Sequence, residues 1–161
     1  MNLQQADLRE ADLSNANLQE ARLGGARLQK ANLMYAVLRW VELWGANLKE
    51  ANMQYANLLR ANLLEANLQE ANLLRADLQR VNLRMANLRG ANLRESFLQN
   101  AKLQDADLLG ADLQGAKLGN AELPDGTRWV QGADMTRFTD SNHPNFWHSA
   151  YSSSLSLWLD N

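Results

Sequence analysis

The chain has 161 residues, enough for one domain with a sizeable core, and its formal net charge is −2 from 16 basic and 18 acidic groups. A balance this close to zero excludes a strong electrostatic field, whether for attracting nucleic acid or for imitating it. The chain contains no cysteine, which excludes disulfides and thiolate metal sites. No apolar run approaches the roughly 18 residues of a membrane helix, and no signal segment opens the sequence, so we expect a cytoplasmic protein with no membrane partner.

From Met1 onward the sequence repeats every five residues in the pattern Ala-(Asn/Asp)-Leu-x-x. The central position recurs at residues 3, 8, 13 and so on to 123; it occurs 25 times and is Leu in every case but Met53. Ala stands two residues earlier except at Met1, Val41, Val81 and Ser96, and no insertion interrupts the register. A period this strict indicates a solenoid of stacked units.

The repeat favours short extended segments over a helix. At about 100° per residue, a leucine every five residues advances by about 140° around a helix, so the leucines would lie on every side. Ala, Asn and Leu in extended conformation alternate in, out and in, and the two remaining residues then turn a corner. We therefore predict a coil of short strands with Ala and Leu inside and Asn outside.

The second residue after each leucine indicates how many sides one turn of the coil has. Residues one full turn apart lie in neighbouring strands and share an environment. At a separation of 20 residues, seven of 21 such pairs are identical, whereas two of 22 match at 15 and two of 20 at 25. Four sides per turn are therefore predicted, in about six coils and a rod about 30 Å long. Asn also recurs in columns at this spacing, so amide hydrogen bonds between coils are expected along Asn47, Asn67 and Asn87 and along Asn32, Asn52, Asn72 and Asn92.

This tract resembles the pentapeptide-repeat family, whose A-(D/N)-L-x-x pattern forms a right-handed, four-sided β-helix. The resemblance covers residues 1–125, about three quarters of the chain. It implies an all-β fold, a right-handed quadrilateral parallel β-helix with an irregular or partly helical C-terminal cap. Many family members begin with a capping helix that this sequence lacks, so we expect an open first coil. Departures from the pattern are charged or apolar residues at the second position: Arg22, Arg27, Val37, Glu42, Phe97, Lys102, Lys117 and Glu122.

After Leu123 the register ends at Pro124-Asp125-Gly126, a turn signal, so we predict a β-helix over residues 1–123 and a capping tail over residues 124–161. Ser149 to Leu159 is compatible with a short helix or an irregular segment. The stretches Leu-Pro-Asp-Gly-Thr-Arg-Trp and Phe-Thr-Asp-Ser-Asn-His-Pro-Asn-Phe-Trp resemble the endings of cyanobacterial pentapeptide-repeat proteins. The tail concentrates aromatic residues, some of which we expect to fold over the last coil as a lid: Trp129, Phe138, Phe146, Trp147, Tyr151 and Trp158.

Residue combinations typical of enzymes are absent from the sequence. The histidines, His143 and His148, stand five residues apart near Asp140, without a second ligand at metal spacing. There is no glycine-rich phosphate loop and no Ser-His-Asp set on a scaffold that would fix it. Carboxylates of the coils are expected on convex faces, with no cleft to shift their pKa values. We therefore expect no enzymatic activity, no small-molecule substrate, no cofactor and no bound metal.

Outward positions that depart from Asn, Gln and charge are concentrated in the second to fourth turns. With a turn of twenty residues, we predict that they gather on one side of the coil. Grouped Trp and Tyr residues are typical anchors of protein interfaces. The alternative is aromatic ladders that only stiffen the sheet, with Arg60 and Arg75 stacked over the rings. We call the set the aromatic patch: Met34, Tyr35, Val37, Trp40, Trp44, Tyr55, Leu59 and Leu64.

Below the aromatic patch the sequence predicts a basic strip. Between residues 60 and 94 only Glu65, Glu70 and Asp77 oppose it, which leaves a local charge of +3. The strip is suited to an acidic partner or to phosphates, and scattered solvated charge is the alternative. Its members are Arg60, Arg75, Arg80, Arg84, Arg89 and Arg94.

Three functional hypotheses follow. The sequence favours a non-enzymatic scaffold that binds an unknown protein partner through the aromatic patch. The resemblance suggests a second role, because some pentapeptide-repeat proteins modulate DNA gyrase by imitating duplex DNA. That role, like nucleic-acid binding, is disfavoured by the 14 basic and 15 acidic residues of the repeat tract. The third hypothesis is a structural or assembly role, in which an open coil end pairs with a second copy as a homodimer.

Overall fold

The computed structural model describes residues 1–148. The second residue of each repeat pairs in parallel with the residue twenty further along the chain, from Asn2 with Arg22 to Lys102 with Glu122. Residues twenty apart therefore stack, and four pentapeptides complete one turn. Each extended segment contributes a single bridging residue, so the sheets consist of very short, parallel segments. This confirms the predicted all-β, four-sided coil.

Beyond the first coil, the backbone donors of a pentapeptide are all satisfied where its second residue is Asn. In Ala46–Glu50, the Ala N–H donates across the preceding turn at 3.0 Å, and the Asn N–H donates to the preceding coil at 2.9 Å. The N–H groups of the Leu and of the last residue donate to the next coil at 2.7 and 2.9 Å. The fifth N–H, that of Lys49, donates to Asn47 Oδ1 at 3.2 Å. Because buried backbone donors are costly when unpaired, this pattern explains why Asn recurs between Ala and Leu.

Ala and Leu fill the interior of the coil. The central residues from Leu18 to Leu108, Met53 included, are at most 5% exposed. Ser96 occupies one Ala position, and its hydroxyl donates to the Leu93 carbonyl at 2.7 Å, so this buried polar group is satisfied. In the first coil, Leu3 and Leu8 are only partly buried. The interior therefore stabilises the coil through packing and gives no indication of the function.

The second residue of every turn in the repeats has a positive φ. Among non-glycine residues this angle ranges from 53° at Trp40 to 60° at Tyr35. Such left-handed conformations cost on the order of 1 kcal/mol each for residues with a Cβ, and the ladder of backbone hydrogen bonds must offset that cost. The variable side chains therefore project from the corners of the coil on a rigid backbone.

The residues after the last repeat fold against the end of the coil. The Leu123 N–H donates to the Thr127 carbonyl at 2.7 Å, and the Trp129 N–H donates back to Ala121 at 2.8 Å. A single helical turn, α1 (Thr136–Thr139), is the only helix within residues 1–148 and places Phe138 in the core. This confirms the predicted irregular or partly helical cap.

Aromatic residues of the tail contribute unequally to this cap. Trp129 and Trp147 are partly buried against the core, and Trp147 packs edge-on to Phe138 with ring centroids 6.0 Å apart. Phe146 instead meets His148 edge-on at 4.7 Å. Tyr151, Trp158 and the stretch from Ser149 to Leu159 lie outside the described residues. Across residues 1–148, no helix has the length and apolar character needed to cross a membrane.

Candidate interaction surface

The stacking of residues twenty apart assigns every outward side chain to a side or a corner. In the first coil, sides 1 to 4 begin at residues 1, 6, 11 and 16, and the two turn residues after each side form the corner of the same number. Every later coil repeats this assignment twenty residues on. Corners 1 and 3 are diagonally opposite, as are corners 2 and 4.

The structure distributes the aromatic patch over three corners and one side. Met34, Tyr35 and Tyr55 lie at corner 3, and Val37 lies on side 4. The other members lie at two further corners: Trp40 and Leu59 at corner 4, and Trp44 and Leu64 at corner 1. The expected grouping on one side is therefore not what the structure has, because each step of five residues rotates the outward direction by a quarter turn. A flat partner that contacts Tyr35 does not reach Trp44.

Corner 3 carries an aromatic stack that continues into an ion pair. The rings of Tyr35 and Tyr55 are 5.0 Å apart between centroids and inclined by 11°. Arg75, one coil further on, does not stack over these rings; its Nε donates to Glu95 Oε2 at 2.7 Å. The carboxylate of Glu95, and then the Tyr55 hydroxyl, raise the pKa of the Arg75 guanidinium. The cation at corner 3 is therefore already neutralised by the chain itself.

Corner 4 combines aromatic, aliphatic and cationic side chains. The guanidinium carbon of Arg39 lies 4.6 Å from the centroid of the Trp40 ring. Leu59 and Arg60 occupy the same corner one coil later, and Arg80 follows in the next coil. The cation over a ring at this corner is thus Arg39, which the sequence reasoning overlooked, and not Arg60. The available signal was that Arg39 directly precedes Trp40 in the same turn.

At corner 1, an exposed indole packs against a glycine of the preceding coil. The Trp44 side chain is 46% exposed. A Cβ at Gly24, one coil earlier, would lie 2.5 Å from Trp44 Cε2, so the ring occupies the space that a side chain there would need. An open cavity of about 550 Å³ adjoins the ring and is otherwise lined by Asn2, Gln4 and Gln5. Trp44 therefore forms a separate exposed site from Trp40.

The basic strip divides into paired and unpaired residues. Arg89 Nη1 lies 3.0 Å from Asp107 Oδ2, and Arg94 Nη1 lies 3.4 Å from Asp112 Oδ2. With Arg75, these arginines belong to corners 2 and 3. Arg60, Arg80 and Arg84 form no ion pair with any described residue. The strip is therefore not one surface, and its free charge lies at corners 4 and 1.

The histidines of the tail do not assemble a metal site in the described part of the chain. His143 Nε2 lies 3.0 Å from Asp134 Oδ2. Within residues 1–148 no three His, Cys, Asp or Glu side chains converge as metal ligands would. Hydrogen bonds from Thr136, the side chain first, lower the pKa of the Asp134 carboxyl. This carboxylate thus stabilises the turn before α1.

Comparison with known proteins places the repeats in a family. The model described as "Pentapeptide repeats" matches residues 2–33, 31–68, 46–84, 60–95 and 82–120. A solved pentapeptide repeat protein from the cyanobacterium Cyanothece 51142 is 36% identical with a TM-score of 0.50, and the match covers 65% of this chain and 64% of that one. The trypsin-treated plasmid-mediated fluoroquinolone resistance protein QnrB1 is 21% identical with a TM-score of 0.64, covering 70% and 57%. The chain thus spans less than two thirds of either protein. No curated protein matches it.

Proposed function

The chain belongs to the pentapeptide-repeat family, whose solved members are right-handed quadrilateral β-helices, and we propose that it acts as a non-enzymatic scaffold that binds a protein partner. One observation carries the proposal: aromatic and aliphatic side chains flank side 4 in the second and third coils. We call this the side-4 surface, and it consists of Tyr35, Val37, Trp40, Tyr55 and Leu59.

The exposure of the tyrosines supports this role. Tyr35 is 52% exposed and Tyr55 is 37% exposed, although both rings stack on one another. A stack that served only to stiffen the sheet would gain from burying the rings more deeply. Tyr and Trp supply large contact areas at low entropic cost and dominate the energetics of many protein interfaces.

The backbone under the side-4 surface supports binding as well. Tyr35 N–H donates to the next coil at 3.0 Å, and Trp40 N–H does the same at 3.0 Å. Side chains on such a ladder are held in fixed relative positions before a partner arrives. Preorganisation of this kind lowers the entropic cost of association and leaves more of the contact energy as affinity.

The separation of Trp40 from Trp44 permits a sharp test. Trp40→Ser removes an anchor of the side-4 surface, whereas Trp44→Ser removes an equally large ring one corner away. The probe is the principal partner captured from an extract of the source organism. We expect Trp40→Ser to lower the affinity for this partner by at least about tenfold, the effect of removing an interface anchor. We expect Trp44→Ser to change that binding by less than about twofold.

Matched controls accompany this test. Gln79→Ser changes a residue of the same corner two coils after Trp40 and should leave capture intact. Circular dichroism should be unchanged in all three variants, since the replaced side chains project from the coil. Equal capture by the wild type and by Trp40→Ser, together with equal capture by a Tyr35→Ser, Tyr55→Ser double variant, would refute the side-4 surface.

A further inference from the structure

Corner 4 holds three arginines without a counter-ion. Arg39, Arg60 and Arg80 lie on successive coils, spaced by about 4.8 Å along the axis. None of them is among the ion pairs formed within residues 1–148. We call them the corner-4 arginines. They follow the edge of the side-4 surface, interleaved with Trp40 and Leu59.

The cations of sides 2 and 3 and of their corners are paired with carboxylates of the chain. The ion pairs of the coils all lie on sides 2 and 3 or at their corners, as Arg9 with Asp7 and Lys30 with Glu50 illustrate. Pairing within the chain is thus available to this architecture and is used on one half of the rod. The other half, around corner 4, keeps its positive charge unpaired in the described structure.

Carboxylates near corner 4 are engaged by polar groups other than these arginines. Glu42 Oε2 accepts a hydrogen bond from Asn62 Nδ2 at 2.8 Å. Asp77 Oδ1 accepts one from the Gln79 N–H at 3.1 Å. Glu20 lies at corner 4 one coil before Trp40, and its Oε1 accepts a hydrogen bond from Gln19 Nε2 at 3.3 Å. Within residues 1–148, none of these three carboxylates forms an ion pair with a corner-4 arginine.

The arrangement is costly for the isolated chain. Arg60 and Arg80 stack as like charges on neighbouring coils, which destabilises a sheet. Arg39 Nε is buried and has no hydrogen-bond partner, while the guanidinium carbon lies over the Trp40 ring. A buried donor without an acceptor also costs free energy. A carboxylate that arrives from outside the chain would offset the repulsion between Arg60 and Arg80.

We propose that the corner-4 arginines bind an acidic segment of a protein partner. Carboxylates of that segment pair with Arg60 and Arg80, and an adjacent apolar side chain packs on Trp40 and Leu59. Guanidinium groups suit this role because they bind carboxylates through two parallel hydrogen bonds. The inference rests on the proposed scaffold function and adds the chemistry of the partner.

A protein segment fits this site better than a nucleic acid. The corner-4 arginines span about 10 Å at the coil spacing, whereas affinity for nucleic acid grows with the number of phosphates neutralised. The net charge of −2 supplies no long-range attraction for a polyanion. The aliphatic and aromatic side chains interleaved with the cations match the alternating side chains of an extended peptide.

The test uses a fluorescein-labelled peptide of alternating Glu and Leu with one central Trp, measured by fluorescence anisotropy. We expect Arg60→Gln with Arg80→Gln to weaken its binding at least about tenfold, as removal of two charge-assisted contacts implies. The matched control, Arg75→Gln with Arg94→Gln, removes the same charge from arginines that the chain already pairs. We expect the control to weaken binding less than about threefold.

Other outcomes would overturn the inference. Equal losses in both double variants would show a response to net charge alone. A labelled single-stranded DNA that binds tighter than the peptide and is lost in Arg60→Gln, Arg80→Gln would assign the corner to nucleic acid. A captured partner that is lost with Trp40→Ser but retained with Arg60→Gln, Arg80→Gln would leave the scaffold function standing and refute its acidic chemistry. Thermal unfolding tests whether Arg60 and Arg80 instead stabilise the fold. We expect Arg60→Gln, Arg80→Gln to be at least as stable as the wild type, and a large loss of stability would contradict the inference.

Discussion

At the scale of single residues, the Asn or Asp of each repeat completes the hydrogen bonding of its own turn. Asn67 is 2% exposed, and its Oδ1 accepts from the Gln69 N–H at 3.1 Å. The same bond recurs at every Asn and Asp of this position. After Glu122, which forms no such turn bond, the next turn opens with Pro124, a residue with no N–H to satisfy. The outward Asn or Asp of a repeat thus stabilises the turn that follows it.

Side-chain amides also join neighbouring coils along the predicted column of Asn32, Asn52, Asn72 and Asn92. Asn52 Nδ2 donates to Asn32 Oδ1 at 3.3 Å, and Asn92 Nδ2 donates to Asn72 Oδ1 at 3.1 Å. Asn82 and Asn62 form a third link at 3.0 Å on another side. Each of these acceptor oxygens also receives the turn N–H, so one amide serves two contacts.

Replacing Asn67 should therefore destabilise the coil. Asn67→Ala leaves the Gln69 N–H without its acceptor, and we expect a loss of about 1–3 kcal/mol in the free energy of unfolding. Asn67→Asp retains the acceptor but buries a charge at a position that is 2% exposed, so it should recover only part of this loss. Lys102→Ala, at an exposed equivalent position where no turn bond exists, should stay within about 0.5 kcal/mol. Urea denaturation measures all three, and equal midpoints for Asn67→Ala and Lys102→Ala would contradict the assigned role.

At the scale of elements, the cap depends on a carboxylate at the end of the last repeat. Asp125 Oδ1 accepts from Thr127 N and Oγ1 at 3.1 and 2.7 Å. Asp125 Oδ2 pairs with the Arg137 guanidinium from α1. Burial raises the pKa of Asp125, but these hydrogen bonds outweigh burial and hold the pKa below its ordinary value of 3.8. The contact ties α1 to the turn that ends the coil.

Asp125→Asn should therefore destabilise the cap in a pH-dependent way. A lowered folded-state pKa means that the carboxylate contributes stability that is fully present above the unfolded-state pKa and is lost as pH falls through the folded-state pKa. The variant should be less stable than the wild type at pH 7, and the difference should narrow as the pH falls below 3.8. Arg137→Gln should follow the same course. Thermal unfolding between pH 7 and pH 2.5 measures this, and a constant difference would contradict it.

Across elements, the period of the sequence determines the coil but not the contacts between side chains. Strict spacing of Leu and Ala predicts a coil of short extended segments. The identities at a separation of 20 residues, at the second position after each leucine, predict its four sides. The expectation that Tyr35 and Trp44 lie on one side was wrong. Turn residues project from corners, and each repeat rotates the corner by a quarter turn. Ion pairs such as that of Arg89 with Asp107 join residues eighteen apart. These contacts depend on how far each long side chain extends, which the five-residue period of the sequence does not predict.

At the scale of the whole molecule, the near-neutral total charge conceals an uneven distribution. Intrachain ion pairs of the repeats lie on sides 2 and 3 and at their corners, and the corner-4 arginines remain unpaired on the other half. The coil therefore presents one charge-compensated half and one cationic, partly apolar edge. Family membership and the right-handed quadrilateral fold are confirmed.

This distribution predicts that the protein does not act as a mimic of duplex DNA. An imitation of DNA requires negative charge along the length of the rod, whereas Arg39, Arg60 and Arg80 interrupt one edge on three successive coils. The likeness to QnrB1, at 21% identity, extends to the fold alone. In a supercoiling assay with purified DNA gyrase, we expect no inhibition by the wild type at up to about 10 µM, a concentration at which a weak complex with a dissociation free energy of about 7 kcal/mol would register. Dose-dependent inhibition by the wild type would contradict this prediction.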